Sequence, residues 1–175
     1  MNATRTPKAL AEAKAEFLAR WGEFGPAWGV SRTMSQIHAL LMVSPEPLST
    51  DQIMSALDVS RGSAHGNLKE LVEWGLVRRR KLPGGRKDYY EAEKDVWRVV
   101  QLIARQRRRK EVEPVLDVLD DCLDRTQGLK TAEAKAFRGQ LAELRRFAGL
   151  GDKVLEKTSR LRSPSLLKWI ARFLR

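Results

Sequence analysis

Residues 48–91, LSTDQIMSALDVSRGSAHGNLKELVEWGLVRRRKLPGGRKDYYE, decide the fold of this chain. The first part predicts a short helix that has Thr50 as its N-cap and carries Ile53 and Leu57 four residues apart. After a tight connection at residues 58–59, Ser60 can cap a second helix. The apolar stripe of this second helix consists of Ala64, Leu68, Leu71 and Val72. These signals indicate a helix-turn-helix.

A basic β-hairpin is predicted directly after the second helix. Gly75 can end that helix, residues 77–82 are strand-like, and the Pro-Gly-Gly sequence at 83–85 is a turn. Residues 86–91 can return as the partner strand, with Tyr90 in the core opposite Val77, and residues 48–49 can add a third strand. The fold class is therefore mainly α with a small β-hairpin, a winged helix-turn-helix.

Two segments of this stretch resemble one protein family. SRGSAHGNLKELVEWGLVRR (60–79) and GGRKDYYEAEKDVW (84–97) are similar to the GbsR branch of the MarR-type bacterial transcriptional regulators. The matching pieces are the Ser-Arg-Gly start, the mid-helix Asn-Leu-Lys and the Gly-Arg-Lys-x-Tyr-Tyr return strand. The likeness spans residues 25–109, and His65 departs from it, since a small hydroxyl residue is expected there. The resemblance implies a homodimer that binds operator DNA, in some members under the control of a small ligand.

The composition limits the classes of protein that the chain can belong to. Its 175 residues suit one domain with an extension, and its single cysteine, Cys122, cannot form an internal disulfide. We find no signal-peptide core and no apolar run long enough to span a bilayer, so we expect a cytoplasmic protein without membrane attachment. No phosphate loop, nucleophile constellation or metal-ligand cluster is recognisable, so we expect no enzymatic activity, no cofactor and no metal.

Positive charge is concentrated on the predicted winged region and on the segment that follows it. The whole chain has 33 basic and 22 acidic residues, a net charge of +11. Residues 60–110 hold 15 basic and 6 acidic residues, whereas residues 111–128 hold 6 acidic residues and only Arg125. A basic balance favours a polyanionic partner, and its concentration on the winged region indicates DNA.

Amphipathic helices are predicted on both sides of the winged region. The first covers residues 7–24, and Gly22, Gly25 and Pro26 should then break it or kink it sharply. It packs either on a partner subunit or on its own core. A helix over residues 30–43 has Ser31 as its cap and carries His38, which we expect at the surface or in a core that satisfies its hydrogen bonds.

The C-terminal part is predicted to be wholly helical. A helix over residues 94–110 ends in a basic run, 105–110, that is either a solvated face or an added phosphate contact. Pro114 should bend it or start a new helix, and the next helix, 132–148, should stop at Gly149 and Gly151. A short helix over 152–161 and a basic amphipathic helix over 164–175 should follow. The last one docks on the dimer or lies on an anionic membrane.

These predictions divide the chain into three regions. Residues 1–27 form an N-terminal dimerisation helix, residues 28–93 the winged helix-turn-helix DNA-binding domain, and residues 94–175 a C-terminal helical dimerisation region.

The candidate DNA contacts lie on the second helix of the motif, the recognition helix (60–75), and on the wing (77–91). A helical wheel turns Gly62, Gly66 and Lys69 outward. Exposed helix glycines cost about 1 kcal/mol each relative to alanine; either Gly66 is merely tolerated or the backbone must approach a DNA groove. Asn67 makes either a structural hydrogen bond or a contact, and Arg86 is our choice for the phosphate or minor-groove contact of the wing. The full set is Ser60, Arg61, Gly62, Ser63, His65, Gly66, Asn67, Lys69, Arg79, Lys81, Arg86 and Lys87.

Three tryptophans are candidates for a small-molecule site. Trp21, Trp28 and Trp97 could form an aromatic wall that attracts a quaternary ammonium ion by cation–π interaction. The alternative is that they are core residues.

Taken together, the sequence predicts a sequence-specific DNA-binding transcriptional regulator. We expect it to act as a repressor and as a homodimer that reads a pseudo-palindromic operator in double-stranded DNA. Two alternatives remain open. One is a sequence-indifferent DNA-coating protein, and the other is a winged domain used for protein or membrane-surface contacts.

Overall fold

The computed structural model describes residues 5–81 and 87–160, with side chains from Lys8 onward. The chain divides into two compact units, here called the first unit (1–94) and the second unit (95–175). The predicted turn at 83–85, residue Arg86 and the predicted helix at 164–175 lie outside the described residues.

The first unit begins with two helices that pack on each other. Helix α1 (Arg5–Phe24) is followed by a 3₁₀ turn (Pro26–Trp28) and by α2 (Arg32–Val43). Ser31 caps α2 as predicted, because its Oγ accepts a hydrogen bond from the Met34 amide at 3.0 Å. Helix α1 ends directly before Gly25 and Pro26, as predicted, but it runs through Gly22 without a break. Gly22 is buried within α1, and a Cβ there would lie 2.6 Å from Cγ of Gln36. This glycine therefore lets the two helices approach each other closely.

The short strand β1 (Leu48–Ser49) leads into the helix-turn-helix, α3 (Thr50–Leu57) and α4 (Arg61–Glu73). The N-cap of α3 is Ser49 and not Thr50. Its Oγ accepts from the Gln52 amide at 3.3 Å, and the Gln52 side chain accepts from the Ser49 amide at 2.8 Å. This reciprocal capping box satisfies two backbone donors at once, which places the cap three residues before Gln52.

Both ends of the recognition helix α4 are as the sequence predicts. Ser60 caps its start by accepting from the Ser63 amide at 3.3 Å. At its end Gly75 has a φ of +74°, and the Leu76 amide donates to the Leu71 carbonyl at 3.0 Å. This is a Schellman ending, which requires a left-handed residue and so favours glycine.

Strands β2 (Val77–Lys81) and β3 (Asp88–Ala92) form the predicted hairpin, and β1 joins it to give an antiparallel sheet in the order β1-β3-β2. Tyr90 is buried as predicted, but its neighbours across the sheet are Leu48 and Arg79. The expected pairing with Val77 is wrong. Strand β3 continues to Ala92, beyond the predicted end, and Ala92 takes the place opposite Val77.

The core of the first unit lies between α2, α3, α4 and the sheet. Ile37, Leu41, Ile53, Leu68 and Leu71 are at most 1% exposed. Val72, expected in the same stripe, is 39% exposed. The buried positions 64, 68 and 71 follow the narrow i, i+4, i+7 spacing, and position 72 is turned away by a further 100°.

His38 also departs from expectation, because it is buried and one of its two ring nitrogens is unpaired among the described residues. Its side chain is 8% exposed, and its Nε2 atom has no hydrogen-bond partner among the described residues. Burial lowers the pKa of His38 from 6.5 to about 4 by desolvating the charged form. The imidazole is therefore neutral near pH 7.

The described part of the second unit, residues 95–160, consists of three helices. Helix α5 (Val96–Arg107), capped by Asp95, continues through a π-helical turn (Arg108–Val112) into α6 (Glu113–Thr126), and α7 (Ala132–Ser159) packs against both helices. Pro114 starts α6. Because it has no amide hydrogen, the wider turn before it, in which the Glu113 amide bonds to the Arg108 carbonyl, accommodates it without breaking the helical path.

The predicted stop at Gly149 and Gly151 is wrong, because α7 is one helix of 28 residues. Glycine weakens a helix interior by about 1 kcal/mol, which tertiary contacts can offset. Asp152, just beyond Gly151, accepts a hydrogen bond from Arg108 at 2.7 Å, with the Arg108 side chain only one-third exposed. This bond fixes the part of α7 that follows the glycines.

Candidate nucleic-acid interface

The outer face of α4 has an open strip of backbone. A Cβ added at Gly62 or at Gly66 would meet no heavy atom within 4 Å among the described residues. Both glycines and Lys69 are exposed, as the helical wheel predicts. The opposite face holds the buried side chains of Ala64, Leu68 and Leu71. The helix is therefore anchored on one side and leaves its backbone accessible on the other.

Polar side chains lie on either side of this strip. His65 is exposed, and Ser63 is half-buried. Both can donate and accept hydrogen bonds, which are the interactions that base edges and phosphates offer. Ser60 is engaged as the N-cap of α4, and its position at a helix N-terminus favours a nearby anion.

Asn67 makes hydrogen bonds within the first unit. Its Nδ2 donates to the Ser63 carbonyl at 2.8 Å, and its Oδ1 accepts from the Ser31 hydroxyl at 2.7 Å. Ser31 is the N-cap of α2, so Asn67 connects the recognition helix to the helix behind it. Of the two roles left open by the sequence, this geometry favours the structural one.

Arg61 and Lys87 share one carboxylate. Asp51, in the first turn of α3, accepts from Arg61 Nη2 at 3.0 Å through Oδ1 and from Lys87 Nζ at 3.1 Å through Oδ2. The hydrogen bond and the charge of Lys87, together with Arg61, lower the pKa of Asp51. The carboxylate is therefore ionised at neutral pH, and it joins α3 to the start of α4 and to the start of β3.

Most arginines of the wing are paired with acidic residues of the same sheet. Arg79 lies 3.5 Å from Asp88, and Arg80 donates to Glu91 at 2.6 Å. The hydrogen bond from Arg80 is the main cause of the lowered pKa of Glu91. Lys81 is exposed and makes no ion pair within the part of the chain that the structure describes. Arg86, our choice for the wing contact, lies outside the described residues.

The sequence reasoning missed Asp51. An acid in the first turn of a helix normally interacts with the helix dipole, and the sequence offers no further signal for it. Its two partners are 10 and 36 residues away along the chain.

The basic run at 105–110 forms ion pairs on the second unit. Arg107 donates to Glu111 at 3.3 Å, and Arg108 pairs with Asp152 and with Glu113 at 2.7 Å. Arg109 and Lys110 are exposed. Part of this run therefore holds the helices of the second unit together.

Of the three candidate tryptophans, Trp21 and Trp28 lie together in the first unit. Their ring centroids are 5.3 Å apart at an interplanar angle of 72°, an edge-to-face arrangement. Phe24 extends the cluster, with its ring 5.6 Å from Trp28. Trp97 belongs to α5 of the second unit and is 38% exposed.

Across residues 5–81 and 87–160, no three His, Cys, Asp or Glu side chains are grouped closely enough to hold a metal ion. In the same part of the chain, no helix combines the length and the apolar character needed to cross a bilayer.

Comparisons with known proteins agree with this fold. Residues 28–88, a segment of 61 residues, match the family model described as MarR family. Among solved structures, the chain is similar to a protein described as a transcriptional regulator, with a TM-score of 0.66 and 20% identity, over 84% of this chain and 95% of that chain. No curated protein matches the chain.

Two other solved structures resemble the chain less closely, with TM-scores below 0.5. One is to a MarR family transcription regulator, with a TM-score of 0.38 and 23% identity, over 84% of this chain and 88% of that chain. The other is to human N-acetylserotonin methyltransferase, with a TM-score of 0.33 and 16% identity, over 72% of this chain and 35% of that chain.

Proposed function

We propose that this protein is a non-enzymatic transcription regulator that binds double-stranded DNA as a homodimer. In this proposal α4 enters the major groove and the wing contacts the backbone beside it. Two copies of α4, related by a two-fold axis, read a pseudo-palindromic operator whose half-sites lie about one helical turn, 10–10.5 base pairs, apart. The protein acts as a repressor in the cytoplasm.

The observation that carries this proposal is the open strip at Gly62 and Gly66. Two glycines on the exposed face of a helix lower its stability, so the fold alone gives no reason for them. A major groove admits an α-helix, and a helix without side chains on its leading face can sit deeper in it. Arg61, Ser63 and His65 are then placed at the N-terminal end of α4, which is the end that contacts base edges in helix-turn-helix proteins.

The relationships of the chain support the same function. The MarR family match covers the helix-turn-helix itself, and the structure with a TM-score of 0.66 is described as a transcriptional regulator. Within that family we assign the chain to the GbsR branch, on the Ser-Arg-Gly start of α4 and the Gly-Arg-Lys-x-Tyr-Tyr return strand.

We assign dimerisation to residues 1–27 and 94–175, and DNA binding to residues 28–93. Helix α7 exposes apolar side chains that a soluble monomer does not normally leave open, Phe147 at 77% and Val154 at 63% among them. Helix α1 exposes Leu10 at 55% and Phe24 at 50%. A second subunit would cover such surfaces. A small-molecule effector is part of the same proposal, with the Trp21–Trp28 pair as its candidate site.

Selection of bound duplexes from a random pool tests the proposal as a whole. A regulator should enrich one sequence with two-fold symmetry, and each half should lose affinity when it is changed. Genome-wide binding should give few sharp peaks. Diffuse coverage would instead support a DNA-coating protein. Failure to bind DNA, with retention on protein partners or anionic vesicles, would support the remaining alternative.

A variant at Gly66 tests the docking geometry. Gly66→Leu should abolish binding to the selected duplex, because its side chain would stand between the helix backbone and the groove. Its melting temperature should not fall, since the site is open and leucine is the better helix former. Gly66→Ala is the matched control, with a small side chain and the same gain in helix propensity. If Gly66→Leu binds as the unchanged protein does, α4 does not enter the groove by this face.

A further inference from the structure

Asp51 holds together the two cations at the edge of the proposed interface. Each of its oxygens serves one cation, with Arg61 Nη2 at 3.0 Å and Lys87 Nζ at 3.1 Å. The three residues come from three different elements: the first turn of α3, the first residue of α4 and the segment before β3. The geometry therefore neutralises part of the positive charge on the face where phosphates would bind.

Stability does not account for this arrangement. The side chains of Asp51, Arg61 and Lys87 are 49%, 73% and 67% exposed. Ion pairs as exposed as these contribute about 0–1 kcal/mol to folding, because solvent screens them and two long side chains lose freedom. The first-turn position of Asp51 needs only a carboxylate near the helix N-terminus. It does not require two cations from elsewhere in the fold.

The carboxylate and a DNA phosphate are alternative acceptors for the same donors. Binding to DNA of arbitrary sequence depends almost entirely on contacts between cations and phosphates. In that mode Arg61 and Lys87 must leave Asp51, or phosphates must approach its negative charge. Both possibilities lower the affinity for arbitrary DNA.

A base-specific contact does not require the same separation. A guanidinium has five N–H donors in a planar fork, and Asp51 uses only Nη2 of Arg61. Arg61 can therefore donate from its other nitrogens to a base edge while Asp51 still holds it in place.

From these contacts we propose that Asp51 is a specificity-determining residue. It competes with phosphates for Arg61 and Lys87 and leaves Arg61 able to contact a base. Asp51 thereby weakens binding to arbitrary DNA more than binding to the operator. This inference rests on the proposed function, since it assumes that the face around α4 meets DNA.

Asp51→Asn in the full-length protein tests the inference. Two probes are compared across a salt series: a duplex enriched by the unchanged protein, and a duplex of equal length with scrambled sequence. The variant should bind the scrambled duplex roughly three- to tenfold more tightly, because the two cations become available to phosphates. The plot of log affinity against log salt should steepen by about one. The preference for the enriched duplex should fall.

Asp121→Asn is the matched control. Asp121 is an exposed carboxylate on α6, paired with Arg125 at 3.3 Å, and its loss changes the net charge by the same amount. Asp51→Glu keeps the charge at position 51 and should retain the preference for the enriched duplex. In the double variant Asp51→Asn, Lys87→Gln, the gain on scrambled DNA should be largely lost, because one of the released cations is missing.

Two results would overturn the inference and leave the proposed function standing. In the first, the unchanged protein binds DNA, but Asp51→Asn binds the scrambled duplex no more tightly than Asp121→Asn does. In the second, the affinity of Asp51→Asn for the scrambled duplex and its affinity for the enriched duplex rise by the same factor. If the unchanged protein binds neither duplex at low salt, the proposed function itself is wrong and the inference with it.

Discussion

The two units of the molecule differ in how completely they bury their apolar side chains. In the first unit, Ile37, Ile53 and Ala64 are 0% exposed, and the helix-turn-helix closes against a sheet. Among the described residues of the second unit, the most buried large apolar side chain is Val99 at 7%, and α7 leaves Leu144, Phe147, Leu150 and Val154 between 47% and 77% exposed.

This difference indicates that the two units remove their apolar surface from water in different ways. A helix-turn-helix with its wing has apolar residues on several elements that converge on one core. The three described helices of the second unit have broad apolar faces, and packing against one another cannot bury all of these faces. The first unit therefore closes around its own core, whereas the second leaves apolar surface that a further surface could cover.

Truncating a core residue of the first unit should have the largest effect. Leu68 is 1% exposed, and Leu68→Ala should lower the free energy of unfolding by about 2–5 kcal/mol, through lost burial and the cavity left behind. Phe147→Ala, at a side chain 77% exposed, should change it by less than about 0.5 kcal/mol at concentrations where the protein is monomeric. Urea unfolding of both variants measures this contrast. Equal losses would show that the two units do not differ in this way.

Acid should destabilise the first unit before the second. The pKa of His38 is about 4 in the folded protein against 6.5 for a free side chain, so the unfolded chain binds more protons between these values. Stability is therefore complete above pH 6.5 and decreases as the pH falls towards 4, by an amount on the order of 3 kcal/mol. In the second unit, the hydrogen bond from Arg145 lowers the pKa of Asp120 from 3.8, so that pair loses stability only at lower pH.

Unfolding midpoints at several pH values between 7 and 4 measure this effect, and His38→Gln, which cannot gain a proton, is the control. The variant should lose the pH dependence in this window. A decline of equal size in His38→Gln would assign the effect to other groups.

Removing an apolar side chain from α7 should weaken self-association. Phe147→Ser should raise the dissociation constant of the proposed homodimer about tenfold or more, as is usual for a large aromatic residue buried at an interface. Lys135→Ser, at an exposed polar position of the same helix, is the control. Sedimentation equilibrium at several concentrations gives both constants. If Phe147→Ser self-associates normally, the partner subunit covers another face.

Replacing a glycine within α7 should have the smallest effect and the opposite sign. Gly139 lies in the helix interior, and an added Cβ would meet no atom within 4 Å among the described residues. Gly139→Ala should therefore stabilise the protein by about 0.5–1 kcal/mol, because alanine loses less backbone freedom on folding. Thermal unfolding measures this change in stability. A lower melting temperature would mean that a neighbouring chain approaches Gly139 closely.

Much of the first unit could be predicted from local sequence signals. The Ser60 cap, the left-handed Gly75 and the stripe of Ala64, Leu68 and Leu71 act within a few residues, so their pattern predicts the helix that they form. The outward direction of Gly62 and Gly66 follows from the same helical periodicity. The wrong prediction of Thr50 as the N-cap of α3 also has a local cause. The reciprocal hydrogen bonds between Ser49 and Gln52 make Ser49, one residue earlier, the better cap.

Tertiary contacts decided what the local signals could not. The sequence predicts that Gly22 and Gly151 break helices. In the fold, Gly22 instead lets α2 approach α1. Gly151 lies inside α7, and its neighbour Asp152 accepts a hydrogen bond from Arg108, 44 residues away. His38 is buried with its Nε2 atom unpaired among the described residues, because helix packing places it in the core. Asp51 meets Arg61 and Lys87 because α3, α4 and the sheet converge at one edge. The sequence determined the helices and the motif, since these depend on spacing along the chain. Only the tertiary structure decided which charges and glycines meet, since those encounters depend on how the elements pack.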